Sequence, residues 1–318
     1  MLWPVITIGL DVGGTKVLGV AVDSTAPATV LAEERVPTPE GGAGLVDTLL
    51  EVATAVSTAA GPAARVGVGV PGLVDTSGRL HMGPHLRKVH ELPLAELLAQ
   101  RCGLPVVVDN DANCHALAEW AGGAASGADE ALVVTLGTGI GAGIIAGGRL
   151  VRGANGFAGE PGHMVVDPNG PPCPCGKRGC WERFASGSGL ARLAREAAEA
   201  DRLDAAVALA GGDVDEVRGE HVTAAARSGD PESHAVLDEF AGWIALGLAN
   251  LVNILDPAVV VIGGGLVDAA DLLLPLVRAQ LAERVMAGDR RPPVLLVPAA
   301  LGERAGAIGA AVLALTDP

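Results

Sequence analysis

One histidine and three cysteines lie within eighteen residues of the chain. His163, Cys173, Cys175 and Cys180 have the spacing H-x9-C-x-C-x4-C. Imidazole and thiolate ligands in a set of four suit tetrahedral zinc, and four protein ligands leave no open position for a reacting water. The alternative is a group of reduced surface thiols without a metal. The spacing therefore predicts a structural zinc site, with no direct role for the metal in chemistry.

Two similar turns, DVGGTK at 11–16 and LGTG at 136–139, each follow an apolar segment. Glycine lets backbone N–H groups approach phosphate oxygens, and a carboxylate such as that of Asp11 can hold Mg²⁺ or its waters. A hairpin alone could need these glycines, but two related turns with threonine favour a nucleotide phosphate chain. Lys16 has the alternative interpretation of a solvent-facing strand residue. The candidate nucleotide contacts are Asp11, Gly13, Gly14, Thr15, Lys16, Gly137, Thr138 and Gly139.

Two common phosphate-binding motifs do not fit these turns. The sequence contains no G-x-x-x-x-G-K-[ST], which excludes a P-loop. Residues 137–142 match a loose G-x-G-x-x-A, but a second apolar run follows where a dinucleotide-binding fold needs a helix. An NAD-dependent oxidoreductase is therefore disfavoured.

The chain has 318 residues, of which 49% are hydrophobic and 2% aromatic, and it contains no tyrosine. A net charge of −15 argues against a general nucleic-acid surface, which would be basic. The five cysteines are too few and too irregularly placed for a disulfide framework. The sequence shows no signal-peptide pattern and no uninterrupted apolar run near the roughly 18 residues of a membrane span. We expect a soluble, cytoplasmic protein that binds neither membrane nor nucleic acid.

Strands and helices alternate along the chain, which predicts an α/β fold with hairpins at the sheet edges. The charged run 191–216 is interpreted as a solvated helical face. Residues 131–148 repeat the strand–turn–strand pattern of residues 4–23, so we expect two related lobes with a cleft between them. The expected boundary gives lobes 1–114 and 115–318, with packing of the last helix on the first lobe as an option. Expected strands are 4–12, 16–23, 29–37, 65–70, 104–111, two within 131–148, 258–265 and 293–302; expected helices are 44–60, one starting near residue 111, 231–253 and 303–316.

The motifs together closely resemble the ROK family of repressors, open reading frames and sugar kinases. The resemblance rests on D-x-G-G-T-K at 11–16, N-D-A-N at 110–113, L-G-T-G at 136–139, E-x-G-H at 160–163 and C-x-C-G-x-x-G-C-x-E at 173–182. These motifs span almost the whole chain, and within the family the chain looks most like bacterial glucokinases. The resemblance implies an actin-like ATPase (ribonuclease H-like) fold of two α/β lobes with mixed sheets and a central cleft.

The resemblance also implies roles for individual residues. Asp111 would be the general base that takes the proton of the attacking sugar hydroxyl, although a carboxylate at this point could also cap a helix. His163 would bind zinc through one ring nitrogen and a sugar hydroxyl through the other. The implied sugar contacts are Asn110, Asp111, Glu160, His163 and Glu182. The implied adenosine-side contacts are Gly263, Gly264 and Gly265.

The implied activity is transfer of phosphate from Mg-ATP to a hexose, most simply glucose, by a homodimer or homotetramer. N-acetylmannosamine or another hexose is the alternative substrate. His85 stands where many sugar kinases of the family have asparagine, which leaves the exact sugar open, and Pro161 is a smaller departure within E-x-G-H. A sugar-responsive repressor is disfavoured because only ten residues precede the first motif, and a homologue that has lost transfer activity is disfavoured because Asp11 and Asp111 are both present.

Overall fold

The structure, a computed structural model, describes residues 5–83, 86 and 89–316. His85 therefore lies outside the described residues. The chain divides into two compact units, of which the first comprises Met1–Val133, Ala142–Gly159 and Ala299–Pro318 and the second comprises Val134–Gly141 and Glu160–Pro298. The expected boundary between residues 114 and 115 falls inside the first unit, and as an assignment of functional lobes it stays a prediction.

Strands and helices alternate along most of the described chain, as expected for an α/β protein. The strands are β1 (Ile6–Val12), β2 (Lys16–Asp23), β3 (Ala26–Pro37), β4 (Arg65–Val70), β5 (Leu73–Val74), β6 (Leu80–Met82), β7 (His90–Leu92), β8 (Val106–Asn110), β9 (Ala131–Leu136), β10 (Ile140–Ala146), β11 (Arg149–Leu150), β12 (Val259–Gly263) and β13 (Leu295–Pro298). The α-helices are α1 (Gly42–Ala60), α2 (Leu94–Cys102), α3 (Asp111–Gly122), α4 (Glu182–Ala185), α5 (Gly187–Glu199), α6 (Asp204–Leu209), α7 (Gly219–Arg227), α8 (Pro231–Leu255), α9 (Ala270–Arg284) and α10 (Ala305–Leu313).

A five-stranded mixed sheet of order β3-β2-β1-β4-β8 forms the centre of the first unit. The predicted hairpin is confirmed, because β1 and β2 pair antiparallel, whereas β1 pairs parallel with β4 and β4 pairs parallel with β8. Side chains alternate across a strand, and β2 shows this clearly. Val17 and Ala21 join a core with residues of α1, while Leu18 and Val20 join a core with residues of α10. The sheet is therefore covered by helices on both faces.

A second five-stranded sheet has the order β11-β10-β9-β12-β13, and the division between the compact units runs through β9 and β10. β12 and β13 are parallel, and β10 and β11 are antiparallel. A small antiparallel sheet of order β5-β6-β7 is also present. Mixed sheets with interleaved helices confirm the predicted fold class.

Two predicted elements differ from the structure. The expected strand 293–302 is only the four residues of β13, because a 3₁₀ turn (Gly302–Arg304) then leads into α10. The run 191–216 is not one solvated face: it forms the end of α5, then α6 and a 3₁₀ turn, and it buries Leu193, Ala197 and Ala206. Apolar residues recur at helical spacing along α5, so a buried stripe was readable in the sequence, and the count of charged residues alone overlooked it.

By length and composition, α1 and α8 could each cross a membrane. In the structure both turn apolar residues into the protein interior. Leu45, Leu49 and Val52 of α1 belong to the core of the first unit, and 61% of the most apolar window of α8 is buried. In α1, 33% of the corresponding window is buried, and core helices pass the same test of composition.

Candidate active site

The turn between β1 and β2 presents exposed backbone on a fixed hairpin. The Gly13 N–H donates to the Lys16 carbonyl over 2.8 Å, and the Thr38 hydroxyl donates to the Gly13 carbonyl over 2.7 Å. Gly14 and Thr15 are exposed. The Lys16 ammonium lies 2.8 Å from the Glu303 carboxylate. The turn can therefore bind an anion through its backbone. The ion pair of Lys16 with Glu303 favours the interpretation that Lys16 is a solvent-facing strand residue.

Asp11 lies near the end of β1, in an environment that disfavours its charge. Burial raises the pKa of Asp11 to about 6; the charge of His115 opposes this rise, and that of Asp111 adds to it. A Cβ added to Gly306 of α10 would lie 2.5 Å from the Asp11 carboxyl carbon. Glycine at position 306 thus makes room for the carboxylate. Sequence reasoning missed His115, although its position one helical turn after Asp111 is a readable signal.

Asn110 is the N-cap of α3, and this fixes the geometry of the residues beside it. Its Oδ1 accepts from the N–H groups of Ala112 (2.8 Å) and Asn113 (3.4 Å), and its Nδ2 donates to the Gly72 carbonyl (3.1 Å). The capping role that was the alternative for Asp111 therefore belongs to Asn110. Asp111 begins the helix, and one of its carboxylate oxygens accepts from the Ala112 N–H at 3.0 Å. One N–H of the Asn110 amide remains for a ligand.

A buried polar network behind Asn110 was not predicted. Asp109 is fully buried, with one carboxylate oxygen 2.7 Å from Arg152 Nε. Its other oxygen accepts from Asn113 Nδ2 (2.9 Å) and from the Asn110 N–H (2.7 Å). Burial raises the pKa of Asp109, and the Arg152 charge opposes that rise. A charged residue at the end of the apolar run 106–108 was the available signal, since a carboxylate there needs a buried partner.

The predicted zinc ligands come together in the second unit. One ligand atom from each of His163, Cys173, Cys175 and Cys180 lies within 4.8 Å of all the others. Cys175 Sγ and Cys180 Sγ are 3.6 Å apart, and Cys173 Sγ lies 3.8 Å from His163 Nδ1. Tetrahedral zinc with Zn–S bonds of about 2.3 Å requires sulfur atoms about 3.8 Å apart. The donor set and its spacing therefore fit zinc, with Nδ1 as the histidine ligand atom and Nε2 left for another partner.

Glycine shapes the loop that carries these ligands. Gly176 and Gly179 both have positive φ angles, of 88° and 69°. A Cβ at Gly179 would collide with the Asp167 carbonyl, so only glycine lets the chain turn there. The Cys173 N–H donates to the Lys177 carbonyl over 2.8 Å and closes the turn.

Two predicted sugar contacts lie close to this cluster. Glu182 begins α4, and its Oε1 lies 3.1 Å from Cys173 Sγ and 3.7 Å from His163 Nδ1. Glu160 directly precedes the 3₁₀ helix Pro161–His163. Proline suits the first turn of a helix because its missing N–H is not needed there. Pro161 is thus compatible with the local fold.

The second glycine turn and the predicted adenosine-side loop also meet in the second unit. Gly264 has a φ of 82°, and a Cβ on it would lie 2.5 Å from the Leu136 carbonyl. The Gly137 carbonyl accepts from the Gly187 N–H over 2.8 Å. The start of the turn at Leu136 and the loop at Gly264 are therefore in contact. The structure assigns Asp11, Asn110 and Asp111 to the first unit and Glu160, His163 and Glu182 to the second.

Comparison with known proteins gives consistent results. The pattern of the ROK family matches residues 7–317. A glucokinase of Streptomyces coelicolor is 40% identical over 314 residues, which cover 97% of both chains. The crystal structure of a ROK family glucokinase from Streptomyces griseus, in complex with glucose and AMPPNP, superposes with a TM-score of 0.84 at 39% identity, covering 97% of this chain and 99% of that one. A ROK hexokinase from Thermus thermophilus gives a TM-score of 0.80 at 34% identity, covering 97% of each chain.

Proposed function

Because the chain belongs to the ROK family, whose pattern spans residues 7–317, we propose that it is a glucokinase that transfers the γ-phosphate of ATP to glucose. The observation that carries the proposal is that the chain has glucokinase relatives at 40% and 39% identity over nearly its full length. Its actin-like ATPase fold is that of these relatives. Cytoplasmic location and assembly as a homodimer or homotetramer remain predictions.

The proposed chemistry needs one proton acceptor and a fixed set of anion and hydroxyl contacts. Asp111 accepts the proton of the attacking hydroxyl. Its support is its place at the start of α3, where the Asn110 cap and the Ala112 N–H hold it. A carboxylate in this position contributes typically 10²–10⁴-fold to the rate by general base catalysis.

The nucleotide is proposed to contact the two glycine turns and the 263–265 loop. Exposed backbone at Gly14 and Thr15 and the contact of Leu136 with Gly264 support this assignment. Mg²⁺, when bound with ATP, neutralises charge on the phosphate oxygens. Asp11 offers the oxygen ligand that Mg²⁺ prefers, and its carboxylate is ionised above about pH 6.

The sugar is proposed to contact Asn110, Glu160, His163 and Glu182. Carboxylates accept from sugar hydroxyls, and the free N–H of Asn110 and the Nε2–H of His163 donate to them. His163, Cys173, Cys175 and Cys180 would hold a structural zinc, which would orient His163 and fix the loop that carries Glu182. With four protein ligands the metal would support sugar affinity without taking part in phosphate transfer.

The test is a coupled ADP-release assay with Mg-ATP over glucose, mannose, fructose, N-acetylglucosamine and N-acetylmannosamine. We expect the highest kcat/KM with glucose. If N-acetylmannosamine were turned over with the highest kcat/KM, the protein would still be a sugar kinase, but its substrate would be N-acetylmannosamine and not glucose. Absence of turnover with all five sugars would refute the kinase proposal.

A further inference from the structure

The turn 136–139 contacts segments that carry predicted sugar ligands as well as the adenosine-side loop. A Cβ added to Gly139 would lie 2.8 Å from Glu182 Oε2. A Cβ added to Gly162, between Glu160 and His163, would lie 2.3 Å from the carbonyl oxygen of Ile140. Residues 139 and 140 therefore pack against both sugar-binding segments of the second unit.

Two hydrogen bonds fix the turn to the chain that follows Glu182. The Gly187 N–H donates to the Gly137 carbonyl over 2.8 Å. The Ser188 hydroxyl donates to the Thr138 carbonyl, also over 2.8 Å. The turn is thus held against residues 187 and 188 by hydrogen bonds and against Glu182 by the close approach of Gly139.

We propose that Gly139 is a positioning residue for the sugar: the absence of a side chain at this position leaves the space in which the Glu182 carboxylate lies. The inference rests on the proposed function, because it takes Glu182 as a sugar ligand. It gives Gly139 a role toward the sugar in addition to the nucleotide contact proposed for the whole turn.

The geometry indicates how a substitution would act. The atom that a new Cβ would meet is the far end of a flexible glutamate, so Gly139→Ala can be accommodated by movement of the carboxylate without unfolding the chain. Neither Gly137 nor Gly139 has a positive φ, so alanine is not strained by the backbone at either place. A Cβ on Gly137 meets no atom within 4 Å. Gly137→Ala is therefore a matched control in the same turn.

The experiment measures KM for glucose and for ATP separately in wild type, Gly139→Ala and Gly137→Ala. Removing a hydrogen bond to a charged group costs about 10- to 100-fold in affinity. We expect Gly139→Ala to raise KM for glucose by about that factor, and by a larger factor than it raises KM for ATP. Gly137→Ala should raise KM for ATP and leave KM for glucose near wild type. Equal effects of the two variants on both substrates, or an effect of Gly139→Ala on ATP alone, would overturn the proposal.

A second variant tests the connection through Ser188. Ser188→Ala removes the hydroxyl that holds the Thr138 carbonyl, and we expect a smaller rise in KM for glucose in the same direction. Zinc content, measured by atomic emission, reports whether the neighbouring loop is intact. Loss of zinc from Gly139→Ala would show that the substitution disrupts the whole loop and would contradict a local effect on Glu182. If wild type turns over no sugar, the proposed function fails; if wild type is active and the two alanine variants behave alike, only this inference fails.

Discussion

Asp11 and Asp111 are two neighbouring carboxylates with different surroundings. Burial and the negative charge of Asp111 both raise the pKa of Asp11, whereas His115 opposes the rise. Asp111 begins a helix, and one of its carboxylate oxygens accepts from the Ala112 N–H. The ionised Asp11 carboxylate is therefore costly in the free protein, and a bound cation would remove that cost.

We predict that Asp11→Asn stabilises the protein at pH 8 while abolishing activity. The pKa of Asp11 rises from 3.8 to about 6 on folding. Its contribution to stability is therefore favourable below pH 3.8 and is lost as the pH rises through 6. The full shift corresponds to roughly 3 kcal/mol. Urea unfolding without Mg²⁺ or nucleotide should show that Asp11→Asn raises the free energy of unfolding at pH 8 and changes it little at pH 4. The same increase at both pH values would show that it does not come from ionisation of Asp11.

The same carboxylate should shape the pH dependence of catalysis. If Asp11 must be ionised to hold Mg²⁺, kcat/KM for Mg-ATP should fall about tenfold for each pH unit below 6. The measurement is the pH profile between 5 and 8 at subsaturating Mg-ATP. A profile that is flat down to pH 5 would remove Asp11 from the Mg²⁺ site.

For Asp111→Asn we predict at least a 10²-fold loss of kcat, because the amide cannot accept the hydroxyl proton. Glucose binding should be largely retained, since the amide keeps the size of the side chain and most of its polar contacts. Calorimetric titration with glucose and steady-state kinetics check the two parts. Turnover close to wild type would show that Asp111 is not the base.

At the scale of elements, the loop 160–182 has little regular structure and depends on its glycines and the four candidate ligands. Its backbone is turned by Gly176 and Gly179 and closed by the Cys173–Lys177 hydrogen bond. Cys173, Cys180 and Trp181 of this loop are buried, whereas His163 and Cys175 are exposed. Packing therefore holds one part of the loop, and the exposed part depends on the candidate ligands. Metal binding and loop geometry should therefore be lost together.

We predict that Cys175→Ser releases zinc and weakens glucose binding in parallel. Serine is a poor zinc ligand, and the freed loop no longer holds Glu182 beside the cluster. Atomic emission and glucose titration on the same sample provide the measurement. Cys102→Ser is the control, because Cys102 ends α2 in the first unit and is not one of the four candidate ligands. If the variant lost all zinc and still bound glucose with wild-type affinity, glucose binding would not depend on the metal.

The sequence predicted which residues of a local motif come together, because a short spacing along the chain restricts which atoms can meet. The cluster of His163 with three cysteines and the β1–β2 hairpin are of this kind. It did not reveal the partner of Asp109, since Arg152 lies 43 positions further along the chain and no local pattern connects them. It also missed that Asn110 caps α3, because two adjacent residues could each have done so.

For the whole molecule, the C-terminal helix α10 belongs to the first unit although it is about 300 residues from β1 in the sequence. It approaches α3 so closely that a Cβ on Gly309 would collide with the Cys114 carbonyl. The buried carboxylate of Glu119 accepts from the N–H groups of Ala300 and Leu301 and so holds the segment before α10. From the sequence, packing of the last helix on the first lobe was one of two possibilities. Small residues show that a helix packs closely against something, but they do not show against which element.

We predict that Gly309→Ala destabilises the protein by about 1–3 kcal/mol, as overpacking of a close helix contact does. The obstructing atom is backbone, so no side-chain movement relieves it. Gly44→Ala is the matched control: it lies near the start of α1, its Cβ would meet Pro39 at an ordinary 3.5 Å, and alanine should add about 0.5–1 kcal/mol there. Urea unfolding should show a lower free energy of unfolding for Gly309→Ala and a higher one for Gly44→Ala. An unchanged free energy of unfolding in Gly309→Ala would contradict the close approach of α10 to α3.

The buried Trp181 lies between Cys180 and Glu182, and its indole N–H donates to the Trp243 carbonyl over 2.8 Å. The chain has four tryptophans, three phenylalanines and no tyrosine, so tryptophan dominates its fluorescence. An indole held in this position is an intrinsic fluorophore in the peptide that joins a zinc ligand to a sugar ligand. Chelation of the metal should shift its emission to longer wavelength, and glucose added to the intact protein should change its intensity, so ligand binding can be followed without a label.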